Sequence, residues 1–415
     1  MQLSKGDRRP KILYLAAAII LALFALKNAL VSGLAERAPG LALDLSPHNA
    51  TALVSQFDRS LAEGGDRSRQ LLESTELPKS ALRDAPLSPG AIRMLALAME
   101  LRSKGASAGT GSNSAGALMN LSERLSRRDL AVQLWLIEEA VLHDDLSGAL
   151  LHYDRALSVH PDVSVQLFPV MTGALDTVQV ASALAPYVRT WRPWVPGFLE
   201  YAVNQSADPV NILRLLRLSN TQAVAAKLRP YETLLLAQLV VKGQYEEANK
   251  LAIAMAGRKG KYLSAFGFSG ESTDPELRPF SWTLGDEGGI GVRLTEKSAL
   301  EVSVSPSTRG IAASRVLVAQ PGRYLFSQAL EFPESGDGVG ANWVASCLSP
   351  KGNMRIWLQD IPNTPGVSTY RSQFDVPNDC SALIVELSLN GVDSQFGTTF
   401  KILSVDLRRV QQTGR

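Results

Sequence analysis

The chain has 415 residues, enough for two or three folded domains. Hydrophobic residues at 45% and charged residues at 20% exclude a disordered chain, and a net charge of +2 removes the electrostatic case for nucleic acid. Two cysteines, and four histidines (His48, His143, His152, His160) outside metal-ligand spacing, give no reason to expect a metal or cofactor.

Lys5, Arg8, Arg9 and Lys11 dominate the first residues, and Ile12 to Leu26 is apolar without interruption. That run of about 15 residues is short of the ~20 a membrane span prefers. Ala29, Leu30 and Val31 extend it past Lys27, whose long side chain can snorkel to the interface. A cleaved signal peptide is the competing expectation, with Gly33-Leu34-Ala35 as its small-x-small site. The expected layout is a basic cytoplasmic tail over 1–11 and an uncleaved single-pass anchor over 12–31 in the inner membrane. The bulk of the chain is then periplasmic.

Residues 36–258 carry apolar positions at helical spacing. Leu53, Val54, Phe57 and Leu61 share one helical face over 50–61; Gly64-Gly65-Asp66 reads as a turn and 67–76 as the next helix. Ser88 and Pro89 suit the cap and first turn of a helix over 91–103. The Gly/Ser-rich stretch 104–114 reads as a loop, since no Gly-Lys-Ser/Thr ends it and no strand precedes it. Helical pattern resumes over 115–125. Arg127 and Arg128 then fall in a turn, where they are either contacts for an anionic partner or simply solvated.

The most regular stretch is 134–161. Leu134, Leu136, Ile137, Ala140 and Val141 make a first helix, His143-Asp144-Asp145 a turn, and Ala149, Tyr153, Ala156 and Leu157 a second helix that Pro161 ends. Ala149, Tyr153 and Ala156 recur at i, i+4 and i+7, so a neighbouring helix can approach closely around one bulky ring. This Ala-x3-Tyr-x2-Ala-x4-Pro pattern resembles the second half of a tetratricopeptide repeat, although Ile137 and Ala140 stand where that family has Gly and Tyr. A second match lies at 231–256, where Leu235, Leu239, Gly243, Tyr245 and Ala248 keep the family spacing and Ala252 and Met255 depart from it. The resemblance spans about 41–256 and implies a solenoid of helical hairpins whose extended surface binds a protein partner.

Between the two matches, 163–174, 177–184 and 197–205 read as helices broken by Pro186, Pro193 and Pro196, and 211–218 with 221–228 as a further short pair. Tyr187, Trp191, Trp194 and Phe198 cluster there with two arginines, a composition that suits either a recognition groove or a packed junction between hairpins.

A connector over 259–278 precedes a change of period from helical to alternating. Nine stretches between Ile290 and Arg408, rich in Val, Ile, Thr and aromatics and punctuated by Pro-Gly and Asn-Gly turns, read as strands of an antiparallel sandwich over 279–411. The layout resembles jelly-roll, carbohydrate-binding-like domains, with Pro279-Phe280-Ser281-Trp282 at its opening and Pro321-Gly322-Arg323-Tyr324 entering a strand. That resemblance implies a possible glycan ligand, with Trp343 and Trp357 as rings that stack on sugars; core packing is the competing role. Cys347 and Cys380 both fall in this part, and in an exported domain an even pair is expected to be oxidised, free buried thiols being the alternative.

No nucleophile with a companion base emerges, and the sandwich holds no histidine. Asp286/Glu287 and Glu334/Asp337 sit in turns, where solvation explains them better than glycosidase or calcium chemistry. The expected function is therefore non-catalytic: a membrane-anchored interaction protein in envelope or surface-polysaccharide assembly, with a lectin-like module as the alternative and a glycan-active enzyme a distant third.

Overall fold

The computed structural model describes residues 9–63, 74–105, 111–286, 288–333, 339–349, 352–391 and 397–410. The first eight residues, the expected turn at 64–66 with most of the helix over 67–76, the centre of the Gly/Ser-rich loop, and Glu287, Glu334 and Asp337 lie outside them.

The apolar N-terminal run forms α1 (Arg9–Leu34). Its stretch Ala17–Leu34 has mean hydropathy 2.0 and is almost wholly exposed, so the helix is long and apolar enough to cross a membrane. Beyond it the chain divides into two compact units: the first runs to Leu167 and includes Arg192–Trp194; the second holds Phe168–Trp191 and everything from Val195.

In the first unit α2 (Pro39–Leu45), α3 (Ala50–Glu63), α4 (Glu76–Asp84), α5 (Pro89–Gly105), α6 (Gly111–Leu125), α7 (Leu130–Leu142) and α8 (Leu146–Val159) follow one another, each in contact with the next. Acidic caps start both helices of the α7–α8 hairpin: Asp129 accepts from the Val132 amide at 3.3 Å, and Asp145 accepts from the Gly148 amide at 2.9 Å. Leu136, Ala149 and Ala156 are buried on its inner face and Tyr153 is half-buried between them. Pro161 opens a short 3-10 turn that ends α8.

α9 (Ser164–Ala174) carries the chain into the second unit, where α10 (Val178–Arg189), α11 (Val195–Gln205), α12 (Pro209–Ser219), α13 (Ala225–Val241), α14 (Tyr245–Ala256) and α15 (Gly260–Ser264) complete the helical part. Gly243 turns between α13 and α14 at φ +73, a conformation that suits glycine; Leu235 and Ala248 are buried beside it, and Tyr245 is half-buried. The helix break expected at Pro186 does not occur. Pro186 lies inside α10 and Pro230 inside α13. A proline removes one i→i−4 bond and bends the helix, but Leu184, Ala185 and Val188 in α10, and Leu228, Leu235 and Leu236 in α13, keep both faces packed across it.

Among the described residues ten strands form two five-stranded antiparallel sheets, ordered β1-β4-β9-β6-β7 and β2-β3-β10-β5-β8. Their ranges are β1 (Thr283–Leu284), β2 (Ile290–Leu294), β3 (Leu300–Val304), β4 (Arg309–Val318), β5 (Gly322–Phe332), β6 (Val339–Cys347), β7 (Met354–Ile361), β8 (Gly366–Val376), β9 (Ala382–Gly391) and β10 (Thr398–Arg409). Alternation in β3 and β5 sends every second residue into one shared core, which Trp282, Trp343, Phe326 and Phe400 fill. The connector over 259–278 is part of that core, because Phe266 and Phe268 pack against Trp282 with ring centroids 5.0 and 4.8 Å away. Cys347 and Cys380 form a disulfide with Cα atoms 5.6 Å apart, joining the end of β6 to the residues just before β9.

Candidate functional site

Within the first unit an open groove of about 1240 Å³ runs along α3, α5 and the start of α7. Val54, Leu61 and Leu134 line it with half-exposed apolar side chains. The helices α3 and α5 approach closely at Gly90, where an added Cβ would stand 2.6 Å from Val54 Cγ1.

The charged centre of this groove is Arg93, which is only 4% exposed. Its guanidinium donates to both oxygens of Asp58 at 2.8 and 2.9 Å and to Asp129 Oδ2 at 2.9 Å. Burial alone would lower the pKa of Arg93, yet hydrogen bonds and charge from Asp58 and Asp129 outweigh it and hold it above the ordinary value. Asp129 thus does two jobs, capping α7 with one oxygen and holding Arg93 with the other. Arg93 ties α3, α5 and α7 together, while Glu36, Arg128 and the outer side of Asp58 remain to face a ligand. Such a groove can hold an extended or helical segment by apolar contact and can orient it by charge.

Arg127 and Arg128 separate at this point. Arg128 is exposed on the groove, and its backbone carbonyl accepts from His160 Nε2 at 2.8 Å. The Arg127 side chain stands 72% exposed, its nearest acid being Glu123 at 3.8 Å. Behind the groove, His152 shares a 2.8 Å hydrogen bond with the buried Gln133, and desolvation, then the charge of Arg155, lower its pKa.

The aromatic cluster is mainly a junction. Trp194 is 6% exposed and its indole donates to Asp154 Oδ1 at 2.9 Å, while Arg192 grips the same buried carboxylate at 2.7 and 2.5 Å. Trp194 therefore offers no face to a partner, and that expectation is corrected: its ring fills the angle behind α8. Trp191 is half-buried in a left-handed backbone conformation at φ +52, beside Tyr231 at 6.4 Å and under Lys227 Nζ at 5.2 Å. Tyr187 is half-buried and also engaged.

On the sandwich both candidate sugar-stacking rings prove to be core. Trp343 is fully buried, with Phe326 and Trp282 at 5.4 and 6.0 Å. Trp357 is 8% exposed, stacked on Phe374 at 4.9 Å. The register pairs Trp343 with Leu387 and Trp357 with Ala345, on the inward side of their sheet, so neither ring can meet a sugar. Polar groups accompany them: Trp343 Nε1 donates to Gln328 Oε1 at 2.8 Å, and the buried Gln328 Nε2 has no partner. Half-exposed Ser368, Tyr370 and Ser372 face inward from β8 beside it. A second cavity of about 790 Å³ near β2 and β10 is lined by Arg293, paired with Glu301 at 2.6 Å, by Lys401, paired with Glu331 at 3.5 Å, and by the exposed Glu296 and Lys297. Among the described residues no three His, Cys, Asp or Glu side chains are grouped to hold a metal.

Sequence reading missed the Arg93–Asp58–Asp129 cluster, because its members are about 35 residues apart, one hairpin length, and each alone reads as a solvated charge. The repeat period itself was the signal that could have found them.

No protein-family model matches the chain, and no curated protein matches it. Among solved structures, the sandwich is similar to the xylan-binding domain from Paenibacillus barcinonensis, 12% identical over 32% of this chain and 87% of that one, with a TM-score of 0.24. The module TmCBM61 in complex with β-1,4-galactotriose is 14% identical over 33% of this chain and 90% of that one, with the same TM-score of 0.24. The enzymatically active domain of bacteriophage CBA120 tailspike protein 4 is 11% identical, covers 31% of this chain and has a TM-score of 0.24, but this chain spans only 19% of its length.

Proposed function

We propose that the chain is a non-catalytic, membrane-anchored binding protein whose helical hairpins hold a segment of a partner protein. The observation that carries this reading is the groove along α3, α5 and α7, with apolar walls and Arg93 locked by two carboxylates in its floor. The tetratricopeptide-like spacing of the two best hairpins points the same way. α1 serves as an uncleaved inner-membrane anchor, since Val31 and Ala35, the latter within the alternative cleavage site, are 4% and 2% exposed and pack into the first helices. The basic tail stays in the cytoplasm and both compact units lie in the periplasm, where the disulfide is stable. Envelope or surface-polysaccharide assembly is the setting that combines such a binding array with a carbohydrate-module-like sandwich.

The test is a pulldown from detergent-solubilised membranes with the intact chain and with Val54→Glu/Leu134→Glu. Both positions are half-exposed, so the helical signal in circular dichroism is expected to persist while partner recovery falls at least tenfold. Undiminished recovery from a folded variant would rule out the groove.

A second reading gives the sandwich a glycan. It is favoured by the unpaired Gln328 Nε2 beside the half-exposed Tyr370 and Ser368, amide and hydroxyl groups of the kind that meet sugar hydroxyls. Binding on a glycan array that Tyr370→Ala abolishes would establish it.

A further inference from the structure

α1 does not end on a flexible tether. Helical hydrogen bonding runs to the Ala35 and Ala38 amides, and the guanidinium of Arg59 on α3 then closes the end, donating to the carbonyls of Glu36 at 2.8 Å and Arg37 at 2.7 Å. Only four residues separate α1 from α2. α2 folds back onto the last turn of α1, where Val31, Ala35 and Ala42 are buried with Ala52 of α3, and Leu34 and Leu43 pack alongside.

Val31 and Leu34 belong to the apolar stretch Ala17–Leu34, and the rise from one to the other is about 4.5 Å. A helix packed against them sits at the level where that stretch ends. α2 buries Pro39 and Ala42 on its inner side. Away from that side Leu41 and Leu45, one turn apart, are 59% and 42% exposed, and the exposed Asp44 stands next to them. A pair of leucines held outward at the end of a membrane span has one environment that removes them from water without a further protein.

We propose that α2 lies in the lipid–water interface with Leu41 and Leu45 inserted among the lipid chains, so that the first unit is seated on the bilayer at a fixed orientation. This inference rests on the membrane reading of α1, and it makes the lipid surface a binding partner of the array.

The experiment places a nitroxide at Leu41→Cys, Leu45→Cys, Leu23→Cys and Gln56→Cys of the full chain in phosphatidylcholine nanodiscs, the native cysteines being joined to each other. Power saturation then compares access to oxygen with access to a water-soluble nickel chelate. Labels at 41 and 45 are expected to favour oxygen as the label at 23 does, with nickel access at least fivefold below that at 56. Leu23 in lipid with 41 and 45 as nickel-accessible as 56 would overturn the seating of α2 and leave the anchor standing. Nickel access at 23 would instead sink the membrane reading itself. Labels at 41 and 45 shielded from both reagents, with dipolar broadening between chains, would give this face to a second copy and also overturn the proposal.

Discussion

Arg315 shows how a single residue can decide whether a segment is a linker or a piece of core. Its Nε donates to the Phe280 carbonyl and its Nη1 to the Ala265 carbonyl, each at 2.7 Å, and its Nη2 reaches the Leu263 carbonyl. The guanidinium also lies 6.0 Å from the Phe266 ring centroid and 5.9 Å from that of Trp282. Burial lowers its pKa to about 10, which still leaves it charged at neutral pH. Register explains the position: Arg315 pairs with Val385, on the inward side of the sheet. Arg315→Met should cost roughly 3–5 kcal/mol, because three carbonyls lose their donor, and Arg315→Lys should recover part of it, since one ammonium reaches fewer of them. Urea unfolding followed by tryptophan fluorescence would read this directly, and a loss under 1 kcal/mol for the Met variant would contradict it. None of this was legible in the sequence. An arginine within a strand reads as outward-facing until the strand opposite and the bulge between Ile311 and Ala313 fix which side it takes.

Elements were more legible than their contacts. Helical periodicity with acidic turns gave the α7–α8 hairpin with its turn and its end at Pro161, although α7 starts four residues earlier, at Leu130, and Val/Thr alternation between Gly-bearing turns gave nine of the strands. β1 is only two residues long, too short for any period to show. Pro193 and Pro196 do mark the break before α11, but Pro186 misled, because the cost of one lost hydrogen bond is smaller than the apolar burial spanning it. The aromatic residues misled differently: composition cannot distinguish an indole that waits for a ligand from one held by a partner 40 residues earlier, as Trp194 is by Asp154. That carboxylate, 5% exposed, ties α8 to the segment Arg192–Trp194 through three donors. Asp154→Ala is expected to destabilise the first unit by about 2 kcal/mol, since the buried Trp194 indole and the Arg192 guanidinium, itself 42% exposed, lose their acceptor. Combining it with Arg192→Ala should cost clearly less than the two single losses added, a coupling that thermal or urea melts of the full chain in detergent would reveal.

At the scale of the whole molecule, anchor and disulfide test one another. The covalent bridge closes a loop of 33 residues between β6 and the approach to β9. In the chain-entropy account such a loop contributes about 3–4 kcal/mol, a large share of a domain's net stability. It forms only in an oxidising compartment, and the only described helix apolar enough to carry the chain across a membrane is α1. On the proposed topology, export and oxidation are one event. When whole cells are quenched in acid and treated with a maleimide of high mass, full-length protein should show no added mass without reductant. A chain lacking residues 1–31 should take up the label at both Cys347 and Cys380. The same truncated chain should unfold at lower urea, as a full-length Cys347→Ser/Cys380→Ser variant does. If the truncated protein were oxidised in the cytosol, or the full-length protein reduced, the bridge would carry no information about the side of the membrane on which the sandwich folds.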